Sequence, residues 1–156
     1  MKHDFLYSVE RGYAHPMDRV WRAWTDAAEL ETWYHPTDLA NVPGSSASDP
    51  VVDGWWAIAV DVPQHDMVSC FWGKYTAVEV NDRLDHTMFY SQDLAEFAAR
   101  DLAGEFAKVV VEFEQRGSEV WVKFSQYGEL PPEHIPMAKA GMESYFESLA
   151  NFLAAN

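Results

Sequence analysis

Along this chain the spacing of apolar residues switches between a period of two and a period near 3.6. Phe5, Tyr7 and Val9 fall on one side of an alternating run, with Leu6 and Ser8 on the other, which predicts a strand over 5–9. Pro16 suits the first turn of a helix, and from there Met17, Val20, Trp21 and Trp24 form a helical stripe. Thr25 and Asp26 offer capping oxygens for a second short helix over 27–33. Residues 35–50 hold three Pro, one Gly and three Ser and predict a loop. At roughly 16 residues it is long for a compact domain, and it reads either as a lid or as an ordered surface connection.

Strand patterns follow over 51–60, 68–80, 84–90, 107–114 and 120–127, with a turn at Asn81-Asp82 and a hairpin turn at Arg116-Gly117-Ser118. Residues 91–105 are mixed, with a short helix expected around 94–99. In the fifth strand Ala107, Val109, Val111 and Phe113 share a face; in the sixth, Val120, Val122, Phe124 and Gln126 do. Pro131-Pro132 breaks the chain before a last helix running to about Leu153. Its Met142, Tyr145, Phe146, Leu149, Phe152 and Leu153 repeat at helical spacing opposite Glu143, Glu147 and Asn151. No repeat or linker divides the chain, so residues 1–156 read as one domain. The expected class is α+β: a curved, six-stranded antiparallel sheet wrapped around a long C-terminal helix, with two short helices after the first strand.

Composition sharpens this picture in three ways. Seven Trp, seven Tyr and nine Phe exceed what a small core needs and fit a lined pocket, a rigid core or an oligomer face. A net charge of −14 argues against nucleic acid and anionic lipid as partners. The single cysteine, Cys70, forms no intramolecular disulfide and reads as a buried thiol in a reducing, cytoplasmic setting. The first residues lack the apolar run of a signal peptide, and no stretch approaches the roughly 20 apolar residues that span a bilayer. A membrane is therefore not expected as a partner.

The segment from Ala14 to Pro36, with its Val20-Trp-Arg-Ala-Trp-Thr-Asp26 core followed by Leu30 and Trp33, resembles the opening signature of the START/SRPBCC superfamily. Gly73-Lys-Tyr-Thr-Ala-Val-Glu-Val80, Arg83-Leu84 and Gly141-Met-Glu-Ser-Tyr-Phe-Glu-Ser-Leu149 extend the resemblance over nearly the whole chain. The branch is the one named after the activator of the ninety-kilodalton heat-shock chaperone's ATPase. The resemblance implies a helix-grip (START-like) fold with a space between sheet and final helix. Two departures touch that space. Asp53-Gly54-Trp55-Trp56 stands where the family has a Gly-Gly pair, and Gly141-Met142 where it has Gly-Trp. A relative's ligand therefore does not carry over. The eukaryotic co-chaperone's separate chaperone-binding domain is not expected here, so the branch's name does not by itself imply that activity.

Chemistry-bearing motifs are few. His3, His15, His35, His65, His86 and His134 are scattered without metal-ligand spacing, so no metal and no cofactor are expected. No phosphate-binding loop or nucleophile elbow occurs, and no catalytic residues are assigned. Polar groups on inward faces are more informative: His86 with Leu84, Met88 and Tyr90; Gln126 with Val122 and Phe124; Tyr75 beside Gly73 and Ala77, read as small neighbours that leave room. The expected cavity wall is Trp56, Tyr75, His86, Met88, Tyr90, Phe113, Phe124, Gln126, Met142 and Phe146. Trp121, Lys123 and Tyr127, on the outward face of the sixth strand, are candidates for a homodimer surface. Three functions fit: binding of a small apolar or aromatic molecule; an enzyme of cyclase, dehydratase or hydrolase type using His86, Tyr75 or Tyr90; or an interaction protein, chaperone-associated or dimeric, without a ligand. The first fits best, because no catalytic constellation accompanies the cavity.

Overall fold

The computed structural model describes residues 3–156. Eight strands and four α-helices follow one another as β1 (Asp4–Tyr13), α1 (Met17–Thr25), α2 (Ala27–Trp33), β2 (Ala40–Asn41), β3 (Ala47–Ser48), β4 (Trp55–Val62), β5 (Met67–Glu79), β6 (Arg83–Ser91), α3 (Leu94–Ala99), β7 (Ala107–Arg116), β8 (Glu119–Gly128) and α4 (Ile135–Ala155). The sheet is antiparallel throughout, in the order β1-β8-β7-β6-β5-β4-β2, with β3 also on β4. It curls into a half-barrel around α4. The pattern along the sequence predicts six strands, and all six are present. The two further strands are two-residue pairings inside 35–50, which is an ordered connection laid along β4.

Local chemistry accounts for the helices that close the sheet. Pro16 precedes α1, and Asp26 caps α2 by accepting from the Glu29 backbone N–H at 3.0 Å. The Trp33 indole donates to the Ala23 carbonyl (2.7 Å), locking α2 on α1. Ser148 then donates to the Trp33 carbonyl (2.7 Å), and Tyr13 donates to the Phe146 carbonyl (3.0 Å). These bonds tie α4 to α2 and to β1. The connection 35–50 is held by Glu31, whose carboxylate accepts from the backbone N–H groups of Gly44 and Ser46 and from the Ser46 hydroxyl. Those bonds hold its carboxyl below the usual range. Gly54 is required by contact: a Cβ there would lie 1.9 Å from the Asp49 carbonyl oxygen. Asp53 beside it takes a φ of 70°, the left-handed conformation that a glycine adopts without strain.

Two apolar layers result. The concave face and α4 bury the main core, which includes Trp24, Trp33, Tyr34, Trp56, Phe113, Phe124 and Phe146. A smaller core lies on the convex side, where Ala57, Ala59, Cys70, Trp72 and Phe89 are covered by Phe97 of α3. β4 is therefore buried on both faces from Trp56 to Val60, which explains its continuous apolar run. Cys70 is a buried free thiol in this second core.

Two bulges revise the strand facing expected from alternation. A register shift between Phe5 and Tyr7 makes Leu6 the extra residue, so Phe5 turns outward and is 58% exposed. A second shift between Tyr75 and Ala77 puts Ala77 opposite Asp85 on the outer face. The space beside Gly73 is also taken, since a Cβ there would lie 2.0 Å from the Thr87 carbonyl oxygen. Gly73 and Ala77 thus leave no room next to Tyr75. Their small size serves backbone approach and a bulge.

Candidate functional site

α4 crosses the concave face with two unlike halves. Its later part drives Phe146, Leu149 and Leu153 into the core. Its first part presents Ala138, Gly141 and Met142 at i, i+3, i+4 spacing, all small or flexible. A Cβ added to Gly141 would meet nothing within 4 Å. Between this first part and the sheet lies a cavity of about 780 Å³.

The walls come from every element around it. β1 supplies Leu6 and Tyr7, β5 Ser69 and Phe71, and β6 Met88 and Tyr90. The entry to β7 adds Glu105, Phe106 and Ala107, and the end of β8 adds Gln126, Glu129 and Leu130. α4 contributes Met137, Ala138, Gly141, Met142 and Tyr145, and Tyr34 closes the inner end. Tyr90 and Met137 are exposed at the mouth.

Of the expected wall, Met88, Tyr90, Gln126 and Met142 line this cavity. Trp56, Tyr75, His86, Phe113, Phe124 and Phe146 do not; they are packed in the core beyond its inner end. His86 stacks on Trp56 with ring centroids 4.0 Å apart, and Tyr75 meets its edge. Its Nδ1 lies 2.8 Å from the Thr87 carbonyl oxygen, so Nδ1 carries the proton and donates. Burial lowers its pKa to about 4. Tyr75 bonds Ser48 through its hydroxyl (2.7 Å), and burial pushes its pKa up to about 12. His86 and Tyr75 therefore serve as satisfied core groups, and of the three residues considered for catalysis only Tyr90 reaches the cavity.

Sequence reasoning missed Leu6, Tyr7, Tyr34, Phe71, Phe106 and Tyr145 as wall residues. Leu6 was hidden by the bulge. Tyr34 follows α2 and comes to the cavity only because α2 docks on α4. The spacing Ala138, Gly141, Met142, Tyr145 was the available signal, a small-residue stripe in the first half of an otherwise bulky helix.

Polar chemistry in the cavity is concentrated in phenols and one amide. The Tyr7 hydroxyl donates to Gln126 Oε1 at 2.7 Å, which leaves the Gln126 amide N–H groups to donate elsewhere. Tyr34 and Tyr145 pack edge to face at 4.9 Å. Neither hydroxyl makes a hydrogen bond among the described residues. Burial raises the pKa of Tyr7, Tyr34 and Tyr145. The phenols stay neutral and can both donate and accept.

Trp121 and Tyr127 lie on the outer face, partly covered by their own chain. The Arg116 guanidinium sits 4.8 Å over the Trp121 ring, and Phe5 meets Tyr127 at 5.7 Å. Among the described residues no group of three or more His, Cys, Asp or Glu could hold a metal ion, and no helix is long and apolar enough to cross a membrane.

The sequence profile of the family described as "Activator of Hsp90 ATPase homolog 1-like protein" matches residues 14–154. Solved structures share the fold at low identity. The AHSA1 protein of Silicibacter pomeroyi superposes with a TM-score of 0.79 at 19% identity, covering 96% of this chain and 97% of its own. A Staphylococcus epidermidis protein gives 0.76 at 20% identity, covering 95% and 88%. A Mesorhizobium loti protein gives 0.68 at 24%, covering 96% and 97%. No curated protein matches the sequence.

Proposed function

The chain belongs to the Activator of Hsp90 ATPase homolog 1-like family, and on that premise we propose that it binds a small, mainly apolar or aromatic molecule between the sheet and the first half of α4. One observation carries the reading. The 780 Å³ cavity is walled by aromatic and aliphatic side chains, with a few convergent polar groups at its inner end. That combination and size are typical of small-molecule sites. Apolar walls supply the driving force. The Gln126 amide and the Tyr34 and Tyr145 hydroxyls supply orientation through a carbonyl, hydroxyl or amine of the ligand. A cytoplasmic setting goes with the reading, supported by the single, buried, unpaired Cys70.

The test is a thermal-shift titration with 2-naphthylmethanol, a neutral two-ring alcohol, on the native chain and on Gly141→Trp. The native Tm should rise with probe concentration, because binding only the folded state stabilises it by mass action. Gly141→Trp fills the cavity from a position where an added Cβ meets nothing within 4 Å, so it should stay folded by circular dichroism and lose the shift. No shift with the native chain, or an equal shift with the filled variant, overturns the reading.

A further inference from the structure

The charges around the cavity select among ligands. Among the described residues no Lys, Arg or His lines it, whereas two carboxylates, Glu105 and Glu129, do. Both sit at the same end of neighbouring strands, Glu105 just before β7 and Glu129 just after β8. Both are exposed, so they stand at the rim. Behind them the wall is aromatic: Phe106 beside Glu105, then Phe71, Tyr90, Tyr34 and Tyr145. Aromatic faces attract cations through their quadrupoles, and phenol oxygens accept hydrogen bonds from an ammonium group. The whole surface, at −14, adds attraction for cations at long range. His3 lies behind this wall, its Nε2 3.1 Å from the Phe106 carbonyl oxygen, and is not one of the lining residues.

We propose that the cavity is selective for a positively charged amine carried on an apolar or aromatic body, with Glu105 and Glu129 as its specificity-determining pair. The inference rests on the binding reading above and adds the charge of the ligand. The body enters between Phe71, Phe106 and Tyr145, and the ammonium group remains near the rim, where two carboxylates and the Tyr90 ring face it. An anionic ligand of the same shape meets both carboxylates with no compensating cation among the described lining residues.

Three probes of one shape test this: 2-naphthylmethylamine, 2-naphthylmethanol and 2-naphthoate, titrated by calorimetry at pH 7. The amine should bind about tenfold more tightly than the alcohol, and the carboxylate about tenfold more weakly. Raising the salt concentration should narrow the spread, since rim charges are screened. Glu105→Gln with Glu129→Gln should bring amine and alcohol to equal affinity, and Glu105→Lys with Glu129→Lys should invert the order of amine and carboxylate. If the alcohol binds but the amine binds no better, the charge selection is wrong and the binding reading stands. If the amine preference survives the double Gln variant, the assignment to this pair is wrong. If none of the three binds, the binding reading falls and this inference with it.

Discussion

The two ends of the space beneath α4 use the same materials to opposite effect. At one end Trp24 meets Trp33, Phe113 and Phe146 edge to face, and with Trp56 stacked on His86 they fill the volume. The Trp24 indole N–H is buried there with no hydrogen-bond partner among the described residues. At the other end aromatic residues are also plentiful, yet a cavity of about 780 Å³ remains. The difference lies in the helix. Phe146 and Leu149 project into the first region, whereas Ala138, Gly141 and Met142 face the second. A single amphipathic helix thus serves as a core element along one half and as the wall of a binding space along the other.

The sharpest way to break this comparison is Phe146→Ala, at a site only 1% exposed. It should cost about 3–5 kcal/mol, read from the shift in denaturant midpoint. A loss under about 1 kcal/mol would mean that the filled end is no better packed than the open one.

His86 gives the next largest effect, through pH. Its pKa is about 4 in the folded chain against an ordinary 6.5, so the unfolded chain binds the proton more tightly. Stability is fully present above pH 6.5 and declines as pH falls from there towards 4. Down to pH 4.5 the loss is on the order of 2–3 kcal/mol. His86→Phe keeps the ring on Trp56 and should remove this part of the acid dependence, measured by denaturant titrations at pH 7, 5.5 and 4.5. An unchanged slope in the variant would place His86 in a wetter site than the filled end.

Smaller effects belong to the open end. Met142→Ala should cost about 1 kcal/mol, well below the usual range for a filled core, because its side chain already borders empty space. Gly141→Ala should stabilise by roughly 0.5–1 kcal/mol, since a helix interior favours Ala and the added methyl meets nothing. A destabilised Gly141→Ala would show that the wall is closed in solution.

Much of the fold was legible because its periods are clean. The six long strands, the helix pair after Pro16 and the stripe on α4 follow directly from residue spacing. What alternation could not supply was register and depth. One extra residue at Leu6 turned Phe5 outward, and another near Thr76 turned Ala77 outward. The strands β2 and β3 were invisible because two residues carry no period. For the cavity, alternation identified the correct face but not the position along it. Trp56, His86, Phe113 and Phe124 share the concave side with Met88 and Gln126, and what separates filled from open is the size of the facing α4 residue together with Trp24 and Trp33 from α1 and α2. That signal was present as Ala138, Gly141 and Met142, though only Gly141-Met142 stood out, as a departure from the family pattern.

The pairing of β1 with β8 has a consequence for how the chain matures. Asp4 lies opposite Gly128 and Tyr13 opposite Val120, so β1 pairs with the strand of this sheet that is made last. At about 5–20 residues per second, β1 waits roughly 5–25 s for its partner to be synthesised. Tyr13 must wait longer still for the Phe146 carbonyl it bonds. During that interval the nascent chain exposes Tyr7, Val9 and an unpaired strand edge, which is the situation that invites mispairing between chains. Contacts this distant in sequence slow folding in vitro as well. Expression yield should therefore respond more to translation rate and to charge on β1 than to anything done at the cavity.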